Sequence, residues 1–498
     1  MSKRERPSIL CIGGNDSAAM AGLSMDCRTA EALGAHALSI CTATTAQNSK
    51  HFNALNPVSD AVLESQLNCH SQAEHAYAAI KIGLIGDKSQ LKLIGNSLKH
   101  QTAPIICDPV MAASAGNNLW DAEFIAQFKA QLMPKLYLLT PNLPEAERLL
   151  GKVINGEDAI KSAAQELLAL GTQAVLIKGG HVNDAQNAWS QDYFSDGKRS
   201  FWLSSARQAN TNTRGTGCCM ASACASALAL EYSLYDAVVI AKMTINQSLR
   251  HAYSVIGQAG AGPLAPQSFP IEQQDLPHLH QVKDDLKHGS FPECNNTKLG
   301  LYPVIERTQW LKRLLPLGIT TAQLRVKDLE GEALEAEIKE AIALGHKYKC
   351  RLFINDYWQL AIKHGAYGVH LGQEDLDEAD IHAIRKAGLR LGTSTHCHYE
   401  VARAHHYKPS YIAVGPVYPT TSKDMPWIPH GPAGFSYWRT CLDYPLVAIG
   451  GINAKRIQPM LEAGADSIAM ITAITLAAAP EATASVYKEQ IDAYQQSY

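Results

Sequence analysis

The chain has 498 residues, a net charge of −3 and a hydrophobic fraction of 46%, with an isoelectric point near 6.7. That length exceeds one ordinary core and calls for two or three domains, and the near-neutral balance gives no global attraction to nucleic acid or an anionic membrane. No apolar run approaches the ~18 residues that span a bilayer. Residues 1–7 are charged rather than signal-like, and the twelve cysteines, with no Cys-x-x-Cys pair, read as buried thiols of a cytoplasmic protein.

The first half alternates short apolar runs with amphipathic stretches. Strands are expected at 9–12, 38–41, 79–82, 105–107, 137–139 and 175–177, with helices such as 21–33 and 143–150 between them. That alternation argues for a mostly parallel, doubly wound α/β sheet, whose ligands bind beyond the carboxyl ends of the strands. Polar and glycine-rich residues follow those strands: Gly13-Gly14-Asn15-Asp16, Gln47-Asn48, Asp108, Thr140-Pro141-Asn142 with Glu145, and Lys178-Gly179-Gly180. Then comes Asn212-Thr213-Arg214-Gly215-Thr216-Gly217-Cys218-Cys219, followed by the small-residue run 220–230. Its glycines permit a tight turn close to a ligand. The run reads as a packed helix whose N-terminus offers N–H groups and a positive dipole end to an anion. Small residues also mark close helix packing, so this signal gains weight only from its company.

Between about 258 and 298 the periodicity collapses under Gly260, Gly262, Pro263, Pro266, Pro270, Pro277 and Pro292. Few residues there sustain a helix or a central strand, so 261–298 reads as a linker between a domain at 1–260 and one at 299–498. The second half offers eight strand-like runs, at 299–305, 322–325, 352–354, 368–371, 390–393, 411–414, 446–449 and 467–471. Eight β/α units in ~200 residues suit a (β/α)8 barrel, with functional groups where the strands end. Those ends carry Arg325-Val326-Lys327, Asn355-Asp356, Gln373-Glu374-Asp375, Ser394-Thr395-His396, Thr420-Thr421-Ser422-Lys423, Gly450-Gly451 and Ile471-Thr472. Cations, carboxylates and a hydroxyl-plus-lysine loop on one rim suit a phosphorylated substrate with Mg2+. His396-Cys397-His398 and His405-His406 lack a partner cluster and are poor metal candidates.

On these residues the first half resembles the hydroxymethylpyrimidine/phosphomethylpyrimidine kinases, members of the ribokinase-like fold, from about 8 to 253. The quoted segments are joined in this match by Thr45-Ala46-Gln47-Asn48, Lys81-Ile82-Gly83 and Asp108-Pro109-Val110-Met111. The second half, about 299–478, is similar to thiamine phosphate synthases through Gln323-Leu324-Arg325-Val326-Lys327-Asp328, Ile354-Asn355-Asp356, the 368–376 segment and Gly415-Pro416-Val417-Tyr418. The resemblance implies a cytoplasmic enzyme of thiamine biosynthesis. It would phosphorylate a hydroxymethylpyrimidine twice with ATP, then couple the diphosphate to thiazole phosphate with Mg2+. Small molecules would be its partners, with no nucleic acid and no membrane, and a homo-oligomer is expected.

Site roles follow from the same resemblance. Gly14, Asp26, Gln47 and Val110 fall on pyrimidine-binding positions. Asn142 and Glu145 fall on a Mg2+-associated motif, and Lys178, Thr216 and Gly217 on nucleotide-phosphate positions. The turn Gly215–Cys218 is the anion hole, where Cys218 replaces the Asp base common in ribokinase-like enzymes; base and pocket wall both stay open for it. In the barrel, Gln323, Leu324, Arg325, Val326, Lys327, Asn355 and Ser394 match positions holding the pyrimidine diphosphate. Asp356 and Asp375 match Mg2+ ligands. Thr420, Thr421, Ser422, Lys423, Gly450, Ile471 and Thr472 match the thiazole-phosphate site, while Arg325 and Lys327 stabilise departing pyrophosphate. Their retention favours a synthase over a tautomerase-like relative. One departure stands out. The first loop reads Ser17-Ala18-Ala19-Met20-Ala21-Gly22 where the family has two further glycines, so its helix is expected to start earlier and Met20 to sit near the substrate mouth.

Overall fold

The apolar runs of the first half pair side by side, because strands buried on both faces satisfy their backbone groups only in each other. In the computed structural model, which describes residues 5–70, 77–111, 119–179, 188–257, 260–283, 286, 288–420 and 427–497, the strands are β1 Ser8–Asp16, β2 His36–Gln47, β3 Phe52–Pro57, β4 Ala79–Ile82, β5 Ile105–Cys107, β6 Leu138–Leu139, β7 Val175–Ile177, β8 Trp189–Ser195, β9 Ser200–Ala206 and β10 His278–His280. They form one sheet in the order β10-β9-β8-β7-β6-β5-β4-β1-β2-β3. The stretch from β7 to β2 is parallel, and antiparallel strands extend it at both edges. Side chains alternate in direction along a strand. Leu10, Ile12, Ile80 and Ile82 accordingly join one core with the helices of 60–169, and helices Gly22–Leu33, Thr216–Ala229 and Leu234–Arg250 cover the other face. The chain leaves β1 in one direction for β2 and in the other for β4, which opens a crevice at their carboxyl ends.

The six inner strands fall where the sequence places them; the edge strands β3, β8, β9 and β10 do not announce themselves. β8 and β9 carry buried Gln191, Asp192, Ser195, Ser204 and Ser205 in place of an aliphatic run. Those polar groups are admissible because each finds a partner: Asp192 accepts from Lys242 Nζ at 2.8 Å and from the Gly179 N–H at 2.9 Å, and Gln191 donates to Ser204 Oγ at 3.1 Å. Asp196-Gly197 at the turn between β8 and β9 is the readable signal of this hairpin.

In the second half, β11 Gly300–Ile305, β12 Thr321–Leu324, β13 Arg351–Asn355, β14 Gly368–Leu371, β15 Arg390–Thr395, β16 Tyr411–Val414, β17 Leu446–Ile449 and β18 Ser467–Met470 close into a barrel. Every pairing is parallel. Its interior is filled by Tyr302, Phe353 and Tyr411. Glycine at 392 makes this possible, since a Cβ there would lie 2.1 Å from Tyr411 Cζ. The aromatic hydroxyls are not stranded. Tyr302 and Tyr411 share a 2.7 Å hydrogen bond, and His370 Nδ1 meets Tyr411 at 2.7 Å and its Nε2 meets Ser394 Oγ at 2.8 Å.

The chain divides into two compact units, Met1–Pro270 with Gln274–Leu286, and Ile271–Gln273 with Lys287–Tyr498. The segment 261–298 is therefore not a bare linker. Prolines bar helix and central strand there, yet they leave edge pairing and irregular backbone open. In the first unit, Arg214 donates its N–H to Gly262 O and accepts from Leu264 N, both at 3.1 Å. β10 pairs with β9, and fully buried Asp275 takes two bonds from Arg250 at 2.9 and 2.7 Å. In the second unit, the Phe291 N–H donates to Lys408 O at 3.0 Å and Ser410 Oγ to Pro292 O at 2.6 Å.

Candidate active site

At the crevice of the sheet, glycines let backbone and side chains converge. Gly215 takes φ 88, and a Cβ there would press to 2.5 Å from Met20 O. The helix Thr216–Ala229 begins at that turn. Gly217 admits Asp108, whose Oδ2 would sit 2.6 Å from a Cβ at that position. Asp108 Oδ1 pairs with Lys178 Nζ at 2.5 Å. Burial works against the Lys178 ammonium, but Asp108 and Glu145 outweigh it and hold its pKa above the usual lysine range. Asn142 and Glu145 form a reciprocal capping box, Glu145 N to Asn142 Oδ1 at 2.8 Å and Asn142 N to Glu145 Oε2 at 2.7 Å. Burial, then the charge of Asp108, pushes the Glu145 carboxyl up to about 7 against the pull of Lys178. Lys178, Asp108 and Glu145 thus make one charge cluster beside Gly217, Thr216 and the anion turn. Asp108 is the member to which the sequence assigns no role, although its position after β5 marks it.

Beneath the crevice lies a second buried cluster. Asp26 is fully buried and accepts from Lys81 Nζ at 2.8 Å and Ser222 Oγ at 2.7 Å. Burial pushes its carboxyl up while those two donors oppose it. Lys81 keeps its proton, because the attraction of Asp26 outweighs burial. The Gly22 N–H reaches Cys218 Sγ at 3.3 Å. Burial, joined by Asp26 and Asp108, pushes the Cys218 thiol up to about 12 despite Lys81, so the helix N-terminus does not make it a thiolate here. Gly14 lies against Leu84, Val110 is half-buried past Asp108, and the Gln47 backbone is clipped by Ser17 Oγ at 3.0 and 3.1 Å.

Two expectations for the first loop are corrected. The helix starts at Gly22, not earlier, because the Asp16 carboxylate takes the N–H groups of Ala18, Met20 and Ala21 at 2.9, 3.0 and 3.0 Å and bends Ala19 to φ 54. Met20 is 1% exposed, so its side chain is buried and not displayed on the surface of the loop.

In the barrel, parallel closure brings all eight strand ends to one rim. Asp356 follows β13 at φ 66, a left-handed conformation uncommon outside glycine and worth attention at a functional position. Its Oδ2 meets Lys327 Nζ at 2.5 Å. Asp375, whose Oδ2 accepts from Gly372 N at 3.1 Å, is pushed up by burial and then by the facing charge of Asp356. Two carboxylates that crowd each other suit a divalent cation, and Mg2+ binds through one or two carboxylates with phosphates and water completing its shell. Arg325 is half-buried beside them, and Val326 and Leu324 are buried below. Gln323 and Asn355 are buried at the strand ends, and Ser394 is held by His370. Burial, helped by Arg325, lowers the His370 pKa to about 4, so the imidazole is neutral; sequence reasoning missed it, though a histidine inside Gly-Val-His-Leu is a visible oddity. Gly450 and Gly451 turn at φ 100 and 65, and Thr420, Ile471 and Thr472 stand at the same rim. Thr421, Ser422 and Lys423 lie outside the described residues. His396 pairs with Glu400 at 2.6 Å and His405 with Tyr444 at 3.0 Å.

Each half of the chain is similar to proteins already known. A phosphomethylpyrimidine kinase family model matches residues 16–265 and a thiamine monophosphate synthase model matches 301–474. The thiamine-phosphate synthase of Serratia proteamaculans (strain 568) is 59% identical over 181 residues, 36% of this chain and 85% of that protein. That of Photorhabdus laumondii is 55% identical over 181 residues, 36% and 84%. A pyridoxal kinase from Staphylococcus aureus in complex with ADP superposes with a TM-score of 0.50 and 25% identity, over 55% of this chain and 98% of that one. The chain belongs to both families, a phosphomethylpyrimidine kinase continued by a thiamine-phosphate synthase, and is a bifunctional transferase of thiamine biosynthesis.

Proposed function

We propose that the first unit phosphorylates 4-amino-5-hydroxymethyl-2-methylpyrimidine to its mono- and diphosphate with ATP, and that the second joins the diphosphate to thiazole phosphate, giving thiamine phosphate and pyrophosphate. The observation that carries the kinase half is Lys178, Asp108 and Glu145 gathered beside the Gly215–Cys218 turn. Donors and a cation fixed around a transferring phosphoryl group stabilise the charge that spreads over its oxygens. Asp108 and Glu145 would hold Mg2+ there, with Asn142 setting the Glu145 rotamer through the capping box. Gln47 and Asp26 supply the donor–acceptor and acceptor groups that an aminopyrimidine edge needs. The metal, when bound, screens phosphate charge and orients it.

In the barrel, Asp356 and Asp375 would hold Mg2+ on the diphosphate, and Lys327 and Arg325 stabilise the pyrophosphate as its C–O bond breaks. Ser394, fixed by the neutral His370, orients the pyrimidine. The thiazole nitrogen then takes the methylene carbon. No protein nucleophile is needed for this step. Thr420–Lys423, Gly450, Ile471 and Thr472 would receive the thiazole phosphate. The chain is expected to act in the cytoplasm and as a homo-oligomer.

The test is incubation of the whole chain with the pyrimidine alcohol, thiazole phosphate, ATP and Mg2+, with products resolved by mass. Monophosphate, diphosphate and thiamine phosphate should appear in that order. Failure to convert the alcohol refutes the kinase half, and diphosphate without thiamine phosphate refutes the synthase half. Pyridoxal supplied in a parallel reaction measures the acceptor range.

A further inference from the structure

Resting on the kinase reading, we propose that Arg214 is the acceptor-phosphate clamp of the second phosphorylation, the residue that lets one site accept a phosphomonoester as well as an alcohol. Its backbone is fixed between Gly262 O and Leu264 N at 3.1 Å each. Asn212 Oδ1 anchors the same strand by accepting from Gly262 N at 2.7 Å. The side chain is not fixed in the same way. Among the described residues its Nε is buried with no hydrogen-bond partner, and the side chain's one hydrogen bond is a long 3.4 Å contact from Nη2 to Asn48 O. A buried donor left unpaired is costly and requires an explanation. Asn48 directly follows Gln47, and Gly215 directly follows Arg214. The guanidinium therefore spans from the anion turn to the loop beside the pyrimidine position, where a group attached to the pyrimidine methylene arrives.

The chemistry of the two steps differs at this spot. In the first, the alcohol oxygen attacks the γ-phosphorus of ATP, the bond to the β-bridging oxygen breaks, ADP leaves with the electron pair, and the hydroxyl proton must go to a base. In the second, an oxygen of the monophosphate attacks the same phosphorus and ADP leaves likewise, but a monoester dianion (second pKa about 6) has no proton to lose. Its difficulty is approach, because a dianion must come up against an anionic triphosphate. The nearby ammonium groups are already engaged, Lys178 by Asp108 and Lys81 by Asp26. Arg214 has no carboxylate among the described residues, and its planar fork suits bidentate phosphate recognition, which a lysine does not reproduce.

The whole chain and its R214Q and R214K variants are assayed by initial rates at saturating ATP and Mg2+, with the pyrimidine alcohol and its monophosphate as separate acceptors. The kcat/KM ratio of monophosphate to alcohol should fall about 10- to 100-fold in R214Q, mainly through KM for the monophosphate, with R214K intermediate. Monophosphate alone should raise the melting temperature of the wild type and fail to do so for R214Q. The ligand-free melting transition of the kinase unit, compared with that of the wild type, verifies that each is folded; if R214Q is not, R214K decides. An unchanged ratio, or equal losses for both acceptors, overturns the assignment while leaving the kinase reading intact. A wild-type chain that phosphorylates neither acceptor overturns the kinase reading and this assignment with it.

Discussion

The two units solve the same problem, gripping phosphates at the carboxyl ends of parallel strands, with opposite economies of chain. In the barrel, Lys327 meets Asp356 only 29 positions away, and the described site residues lie at the ends of the strands or just past them. In the sheet, Gly22 meets Cys218, and Asp26 meets Ser222, across 196 positions, and Arg214 is held by residues from the proline-rich stretch after the last helix. The barrel site is a ring of nearly independent additions to a closed scaffold. The kinase site is assembled from distant pieces, with its charges settled in buried pairs before any ligand arrives. Integrity of the whole unit should therefore matter more to the kinase than to the synthase.

The sharpest way to break that contrast is truncation. Residues 1–260 lose the partners of the Arg214 backbone, the edge strand β10 and Asp275, leaving Arg250 without its buried carboxylate. Breaking a buried pair costs ~3–5 kcal/mol, a large part of the ~5–15 kcal/mol that holds a domain together. Fragment 1–260 should show a depressed or absent melting transition and negligible pyrimidine phosphorylation, whereas 1–286 should keep both. Equal activity in the two fragments would show that the segment is a linker after all.

Next in size is removal of either rim carboxylate. Asp356→Asn or Asp375→Asn should lower thiamine phosphate formation by about 10²–10³ while pyrimidine diphosphate accumulates, since the kinase unit has its own Asp108 and Glu145. Loss of the diphosphate as well would show that the synthase site is less independent than its local construction implies.

Cys218 tests how settled the kinase charges are. A thiol pushed up to about 12 by burial is protonated at neutral pH and a poor proton acceptor. Cys218→Ser should therefore cost less than about tenfold in the first phosphorylation, against the 10²–10⁴ expected for loss of a general base. A larger loss measured at saturating ATP would mean that substrate binding reverses the electrostatics of the empty pocket.

What could be read in advance divides along the same line. Strands buried on both faces, such as Ala79–Ile82 and Gly368–Leu371, are aliphatic runs bounded by polar residues and are legible to within a residue. So is the capped helix Leu143–Leu150, and the strand-end residues of both units lie where periodicity puts them. Illegible from local pattern were strands whose polar residues are satisfied at long range, as Asp192 is by Lys242, and roles that exist only through a partner, as Asp108 does through Lys178. Lys81 inside Ala-Ile-Lys-Ile and His370 inside Gly-Val-His-Leu did show themselves as polar interruptions of buried runs, but nothing local names Asp26 or Tyr411 as the answering group. Long-range pairing is what a sequence read element by element leaves out, and the kinase site has more of it.

The smallest effect concerns the one place where the kinase loop carries strain instead of pairing. Ala19 sits at φ 54, a region that costs a non-glycine residue about 1–2 kcal/mol, and it stays there because Asp16 draws in three backbone amides around it. Ala19→Gly removes the steric penalty but loosens the unfolded chain, which takes back about 0.4–1 kcal/mol. The net expectation is a gain of roughly 0.5–1 kcal/mol, or about 1–3 °C in the melting temperature of a unit this size, seen as a shifted denaturation midpoint at constant slope. Because Met20 is buried and the helix still begins at Gly22, KM for the pyrimidine alcohol should stay within twofold. A stabilised variant with a clearly altered KM would mean that the rigidity of the alanine loop shapes the substrate mouth. A destabilised one would mean that the Ala19 methyl contributes packing that outweighs its strain.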